Sequence, residues 1–348
     1  MKELKSIKIA QFSKNNEEPV QIFRFITQIF FLVLVIWIGV EFYFFMQFLY
    51  SGGSVEYFSK PLGVEGFLPI SSFMNFYYFL KTGTINMVHP AGFFIFVGIL
   101  AMSFWAGKSF CSFSCPIGFI SEMVGDFGEK IEKKLFGKKL NLPKIIDIPL
   151  RSIKYLLMGY FVYSILTMDT KSIVAFLNSP YNKMADVKLW LFFAEITKFS
   201  FIVLTVLVLL SVVIRNFWCR YLCPYGALLG IVSIFSPNKI KRNSDTCIDC
   251  KLCTKACPSN IQVHKKKYVI SDECTSCLNC VDVCPVSDTL FVENVITRKK
   301  ISKKKIVFGI ALIYFVIIGF GMLMGYWHSN VTQNEYLQYF QNINMLGH

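Results

Sequence analysis

Cys247-Ile-Asp-Cys250-Lys-Leu-Cys253-Thr-Lys-Ala-Cys257-Pro258 and Cys274-Thr-Ser-Cys277-Leu-Asn-Cys280-Val-Asp-Val-Cys284-Pro285 are two copies of one pattern, C-x-x-C-x-x-C-x-x-x-C-P. Three thiolates spaced two residues apart wrap a tight turn around one [4Fe–4S] cubane, with backbone N–H groups aimed at its sulfides. The fourth cysteine sits on the following helix and ligates the other cluster. The spacing therefore assigns Cys247, Cys250, Cys253 and Cys284 to cluster one, and Cys274, Cys277, Cys280 and Cys257 to cluster two. Each proline keeps the chain from crowding its cluster. A zinc site built from four cysteines also uses C-x-x-C pairs. Zinc needs neither a third cysteine two residues on nor two copies ending in C-P. Disulfides fit poorly too, because C-x-x-C spacing in an intracellular segment favours metal or redox chemistry. Lys265, Lys266 and Lys267, between the quartets, offset cluster charge, dock an acidic donor or line a solvated surface.

Outside this segment the chain is far more apolar. Hydrophobic residues make up 54% of it and the mean hydropathy is +0.50, too high for a soluble domain of 348 residues. The 36 phenylalanines suit bilayer spans with interfacial rings. Five stretches are each long enough to cross a hydrocarbon core of about 30 Å: 25–46, 88–107, 152–169, 195–214 and 305–326. The third is the shortest, and Arg151 and Lys154 would have to snorkel at its start. No cleavable leader pattern precedes the first.

Lys and Arg counts alternate along the intervening loops: 5 before residue 25, 2 in 51–87, 9 in 108–154, 3 in 169–190, 16 in 215–305 and none in 326–348. The positive-inside rule puts the N-terminus and 215–305 in the cytoplasm and the C-terminus outside the inner membrane. A net charge of +14 would otherwise point to nucleic acid; here the charge follows the membrane, so nucleic acid is not a partner. The expected fold is an all-α polytopic bundle of about five spans with an inserted cytoplasmic α+β ferredoxin domain of bacterial 2[4Fe–4S] type. The expected units are a cytoplasmic tail (1–24), a membrane domain (25–236), the ferredoxin domain (237–300), a final span (301–327) and an extracytoplasmic tail (328–348).

The membrane domain carries an internal repeat. Phe110-Cys111-Ser-Phe-Ser-Cys115-Pro116-Ile-Gly118 aligns with Trp218-Cys219-Arg-Tyr-Leu-Cys223-Pro224-Tyr-Gly226, 108 residues later. Each copy ends an inward-running span in C-x-x-x-C-P-x-G, as two parallel helix pairs made by duplication would. Cysteines four apart share a helix face, and Pro116 and Pro224 then break the helix. Cys111, Cys115, Cys219 and Cys223 thus form a further metal site, a further cluster, a copper-handling site or a dithiol pair. His89 and Glu41, near the outer ends of spans two and one, are candidates for contacting a quinone. Their bland alternatives are a structural interfacial histidine and a snorkelling carboxylate. Glu195 and Lys198, at i and i+3, pair with each other. His328 is a further outer-face histidine. Residues 126–142 show helical spacing of Phe127, Ile131, Leu135 and Phe136 among lysines, as in a helix lying on anionic lipid. Residues 52–87 pack over the outer mouth.

Together, the paired C-x-x-x-C-P motifs and the double quartet resemble the NapH, NosR and CcoG type of membrane-bound polyferredoxins. Pro61-Leu-Gly-Val-Glu-Gly-Phe-Leu-Pro69 and Val88-His-Pro-Ala-Gly92 are similar to the outer-loop signature of YccM-like members. The resemblance covers most of residues 20–295. It implies electron transfer between the quinol pool and a cytoplasmic or extracytoplasmic redox protein. CcoG-like relatives are associated with cupric reduction during oxidase assembly. This sequence departs from the pattern in lacking the flavin domain of NosR and the immunoglobulin-like domain of CcoG, and in having a final span beyond those of NapH. Three readings follow: a redox relay, a metal-handling reductase, and a non-catalytic anchor for a larger reductase.

Overall fold

The computed structural model describes residues 13–137 and 142–346. Helix α1 (Gln21–Tyr50) is 30 residues long and leaves Ile22, Phe25, Val33, Ile36 and Trp37 exposed along its length. Its C-terminal end is buried through Phe42, Phe45 and Met46. A 3-10 turn at Leu62–Phe67 and helix α2 (Pro69–Thr82) follow. Helix α3 (Pro90–Ala106) is buried nearly all round, as an unbroken apolar sequence requires of a central helix. Short α4 (Ser109–Phe113) leads into α5 (Pro116–Phe136). Then come α6 (Lys144–Leu166), α7 (Thr170–Leu177), α8 (Pro180–Lys183) and α9 (Ala185–Ala194). Helix α10 (Lys198–Val213) leads through a π turn at Trp218–Leu222 into α11 (Pro224–Ile234).

Among the described residues, two helices are long and apolar enough to cross a bilayer alone: α1 and the late helix 303–323. The pair α9 and α10, bent by 83° at its break, passes together as a third. Helices α3 and α11 are apolar but shorter. Each of the five expected spans contains a helix, but two differ from expectation. The third begins at Lys144 rather than 152, and Lys154 does not snorkel. It is fully buried and ion-paired with Glu273 of the cysteine-rich head, while Arg151 pairs with Asp147. The fourth is broken, so Glu195 and Lys198 fall on either side of the bend and not on one helix turn.

The repeat is visible in packing. The helix after the first motif, α5, packs on α10, which precedes the second motif; α11, after the second, packs on α3, before the first. Gly128 permits the first contact, since a Cβ there would stand 1.8 Å from the Val212 carbonyl oxygen. Arg24 of α1 forms a two-pronged pair with Glu122 of α5, at 2.8 and 2.9 Å, and Arg215 reaches Asp126 and Glu129 at 2.8 and 3.1 Å. The stripe expected on lipid is part of α5. Ile117, Ile120, Met123, Phe127, Ile131 and Leu135 are exposed along it, and Lys138 and Lys139 lie outside the described residues.

The head is α+β. Strands β1 (Asn238–Arg242), β2 (Leu290–Asn294) and β3 (Lys300–Ile301) form an antiparallel sheet in that order, with Asn238 opposite Asn294 and Val292 opposite Ile301. The β1–β2 pairing clamps the two ends of the cysteine-rich segment together. Short helices α12 (Leu252–Lys255) and α13 (Asn279–Asp282) follow the second-cysteine turns and carry the third cysteines. The stretch between the quartets is mainly a 3-10 turn, Val263–Lys265, with an isolated bridge from Tyr268 to Lys241. Residues 13–20 lie along the head: Asn15 donates to the Cys284 carbonyl, and the Val20 amide to Asp282. Helix α14 (Lys303–Leu323) returns to pack on α3, and α15 (Gln333–Gln341) packs on the C-terminal end of α1.

Candidate functional site

The two cysteine turns have the same backbone. Asp249 and Lys251 flank Cys250 at φ 51° and 61°; Ser276 and Leu278 flank Cys277 at the same two values. None is glycine, so each turn keeps left-handed residues that cost free energy. Successive amides in such alternating conformations form a concave nest for anionic atoms.

One cavity of the head is lined by Cys247, Cys250, Cys253 and Cys284, together with Arg242, Lys251 and His264. A second is lined by Cys257, Cys274, Cys277 and Cys280. The fourth cysteine of each quartet thus stands in the other quartet's cavity. The electrostatics agree: Cys284 feels Cys253, Cys250 and Cys247, while Cys280 feels Cys277, Cys274 and Cys257 most strongly among the cysteines. Burial raises the thiols of Cys253, Cys277 and Cys284 and pushes Cys274 to about 11. Loading of these sites therefore displaces protons.

Four cysteines line each cavity, the number that the four irons of a cubane take. Among the described residues, no three His, Cys, Asp or Glu side chains converge closely enough to hold one metal ion. A single zinc draws its sulfurs to about 2.3 Å from a point; a cubane carries them on its outer corners. All twelve cysteines are free thiols, and Cys250 is the exposed one.

The four cysteines outside the head are brought together as well. Cys111, Cys115, Cys219 and Cys223 line one chamber of about 350 Å³. The expectation that each pair shares a helix face is corrected. Cys111 lies in α4 and Cys219 in the π turn, whereas Cys115 and Cys223 are the N-caps of α5 and α11. The chain breaks between the partners because Pro116 and Pro224 each open a new helix at its first position. Both cap sulfurs accept a backbone hydrogen bond, from Gly118 at 3.4 Å and Gly226 at 3.2 Å. Phe110, Trp218 and Tyr225 also wall the chamber; Gly66 and Phe67 of the 3-10 turn, Pro69 at the start of α2 and Ile99 in mid-α3 line it too.

The chamber abuts the head. Pro258 and Ser259, next to Cys257, and Glu273 and Thr275, on either side of Cys274, line it too. The join is fixed by the buried Lys154–Glu273 pair, by Tyr155 donating to Asp272, and by Ser112 donating to the Thr275 carbonyl at 2.7 Å.

His89 and Glu41 do not line this chamber. Glu41 accepts from Trp37 at 2.8 Å. His89 is buried: its Nε2 lies 2.7 Å from the Asn182 carbonyl oxygen and its Nδ1 3.4 Å from Glu65. Glu65 also meets Lys60 at 3.2 Å, and Lys60 meets Asp186 at 2.7 Å. This buried ionic cluster pins the segment 60–67 to α3 and α9. Sequence reading missed Lys60, Glu65 and Asp186 as a group because their partners lie up to 126 residues apart. It also missed Lys108, buried beside the chamber thiols; a cation three residues before the first C-x-x-x-C was the available signal.

A fold that presents paired cysteine nests on an apolar helical base defines a ferredoxin-type iron–sulfur electron-transport protein. The comparisons agree. A family model described as a 4Fe-4S binding domain matches residues 88–143 and 197–243, and one described as a 4Fe-4S dicluster domain matches 239–285. YccM of Escherichia coli (strain K12), named as a putative electron transport protein, is 40% identical over 333 residues, covering 92% of this chain and 90% of YccM. The chain belongs to the YccM-like family of electron transport proteins. It is also similar to the methylamine utilization ferredoxin-type protein MauN of Paracoccus denitrificans, 30% identical over 44% of the chain and 48% of MauN. The regulatory protein NosR of Stutzerimonas stutzeri is 24% identical over 44% of the chain and 20% of NosR. No solved structure matches it.

Proposed function

We propose that the chain is a multi-pass inner-membrane relay in which two [4Fe–4S] clusters carry electrons between a membrane quinone and a redox partner protein. The single observation that carries the relay is the crossed cysteine sets, which tie two cofactor cavities into one unit. Cluster one is held by Cys247, Cys250, Cys253 and Cys284; cluster two by Cys274, Cys277, Cys280 and Cys257. The clusters supply one-electron chemistry. The chain supplies their spacing, the amide nests and the route.

The route is ordered by burial. Cluster two's cavity lies against the chamber through Pro258, Ser259 and Thr275. Cluster one's includes the exposed Cys250, so the partner docks there. Lys251, Lys255 and Lys265 are exposed near this port and favour an acidic partner. The apolar end of the chamber, at Gly66, Phe67, Pro69 and Ile99, suits a quinone ring or tail better than His89 or Glu41 does. In this reading all five expected spans cross the bilayer, with the head on the cytoplasmic side by the positive-inside rule.

The test is reoxidation. The chain, reduced anaerobically by dithionite and then freed of reductant, is mixed with decylubiquinone and its visible cluster absorption followed. Each quinone takes two electrons, one from each cluster, and two protons. The reading expects rapid recovery that Phe67→Trp slows about tenfold or more by narrowing the apolar end. Recovery equally fast in both proteins contradicts a quinone there and leaves the head's clusters standing.

A further inference from the structure

The relay seats an apolar ring or tail at the Phe67 end of the chamber and leaves the chamber's polar groups without a role. Lys108 lines the chamber and is only 4% exposed. Among the described residues its ammonium makes no ion pair; Glu273, the acid in the lining, is taken by Lys154. A buried cation without an acceptor is costly, and thiols accept hydrogen bonds only weakly. A ligand oxygen inside the chamber satisfies it.

Backbone fixes where Lys108 stands. Gly107, just before it, turns the chain out of α3 at φ 68°. A Cβ on Gly107 would stand 2.6 Å from Ser276 Oγ, so this corner presses on the turn that carries Cys274 and Cys277. The Gly107 amide donates to Ser236 Oγ at 3.1 Å, and Ser109 Oγ donates to the Met102 carbonyl at 3.1 Å. Lys108 is thus held on the cluster-two side of the chamber. A second unmatched group shares the lining: Asn216, at φ 58°, keeps its Oδ1 buried without a hydrogen-bond partner. One spare donor and one spare acceptor fit a ligand whose oxygens are carbonyls when oxidised and hydroxyls when reduced. Phe110, Trp218 and Tyr225 offer flat walls for its ring.

We propose that Lys108 binds the head group of the quinone, its Nζ–H donating to a ring carbonyl oxygen, and that Asn216 Oδ1 accepts from a hydroxyl once the ring is reduced. This rests on the reading that a quinone occupies the chamber. The ring then lies between cluster two and the apolar end at Phe67. Two electrons, one from each cluster, and two protons from water turn the quinone into the quinol. Lys108 keeps its own proton and offsets the negative charge that grows on the oxygen when an electron arrives before a proton.

The test follows reoxidation of the dithionite-reduced full chain in detergent, freed of reductant, by increasing decylubiquinone and separately by ferricyanide, an acceptor too polar for the apolar chamber. Losing a hydrogen bond from a charged donor should raise the half-saturating quinone concentration, or lower the limiting rate, about tenfold or more in Lys108→Met. Lys108→Arg should recover most of that loss. Ferricyanide rates and iron content should match the wild type in both variants. The infrared difference spectrum of the wild type with decylubiquinone should show a carbonyl band shifted down from its position in protein-free micelles, a result that does not depend on Lys108→Met folding. An unshifted band, wild-type quinone kinetics in Lys108→Met, or equal slowing with both acceptors overturns the proposal. Quinone reoxidation slowed by Phe67→Trp and untouched by Lys108→Met sinks the role of Lys108 alone. A wild type that ferricyanide reoxidises and decylubiquinone does not sinks the quinone reading itself.

Discussion

Gly118 and Gly226 occupy the same place in the two copies of C-x-x-x-C-P-x-G, yet the structure assigns them different costs. A Cβ on Gly118 would stand 2.3 Å from the Cys111 carbonyl oxygen, whereas one on Gly226 would stand 3.5 Å from the Cys219 carbonyl oxygen. A comfortable carbon–oxygen contact is about 3.3–3.6 Å, so Gly118→Ala requires a shift of roughly 1 Å in backbone, and Gly226→Ala requires none. The obstacle is main chain and not a flexible side-chain tip. Crowding of this kind costs about 1–3 kcal/mol. Against it stands a gain of up to about 0.5–1 kcal/mol for replacing glycine within a helix, which both variants share. Gly118→Ala is therefore expected to be net destabilised by up to about 2 kcal/mol and Gly226→Ala to be neutral or slightly stabilised. At about 2–4 °C per kcal/mol, the two should separate by several degrees in thermal unfolding of the detergent-solubilised protein. Equal shifts, or a larger loss in Gly226→Ala, would refute the claim that the first copy is the more tightly wound.

Three further outcomes follow from contacts elsewhere. Lys154→Met leaves buried Glu273 without its cation and should cost about 3–5 kcal/mol, with most of the loss recovered in the Lys154→Met/Glu273→Gln pair; a thermal double-mutant cycle checks this, and additive losses would contradict it. Cys257→Ser should remove the same EPR signal as Cys274→Ser, and Cys284→Ser the same signal as Cys247→Ser, although each pair spans both quartets. Gly128→Ala drives a Cβ into the Val212 carbonyl, where overpacking costs about 3 kcal/mol or more, so yield of folded protein should fall sharply relative to Gly159→Ala, whose Cβ meets nothing within 4 Å.

Much of the head was legible because its information is local. A cysteine every third residue sets the turn, and the C-P ending sets where the fourth ligand goes, so the crossing of Cys257 and Cys284 could be read from spacing alone. The left-handed residues Asp249, Lys251, Ser276 and Leu278 could not, since nothing in their side chains announces a positive φ. The helices within the expected spans were legible from apolar run length. The bend between α9 and α10 was not, because apolar runs flank the break at 195–197 on both sides. Lys154 shows the general limit. Hydropathy sees a cation at the edge of a span and sends it to water, while the fold supplies Glu273 from 119 residues away. The same holds for His89, whose neighbours Glu65 and Asn182 come from the 3-10 turn at Leu62–Phe67 and from α8. Repeat alignment paired the two cysteine motifs, but only the reciprocal packing of α5 on α10 and α11 on α3 shows one shared chamber.

The central claim is that two crossed cysteine sets hold a pair of clusters that exchange electrons. Stepwise reduction of the anaerobic protein, followed by EPR, tests it most directly. The account predicts two reducible [4Fe–4S] centres in the head whose signals broaden one another once both are reduced, because shared ligand turns hold them side by side. A head that binds zinc, or that gives two independent unbroadened signals, would contradict it.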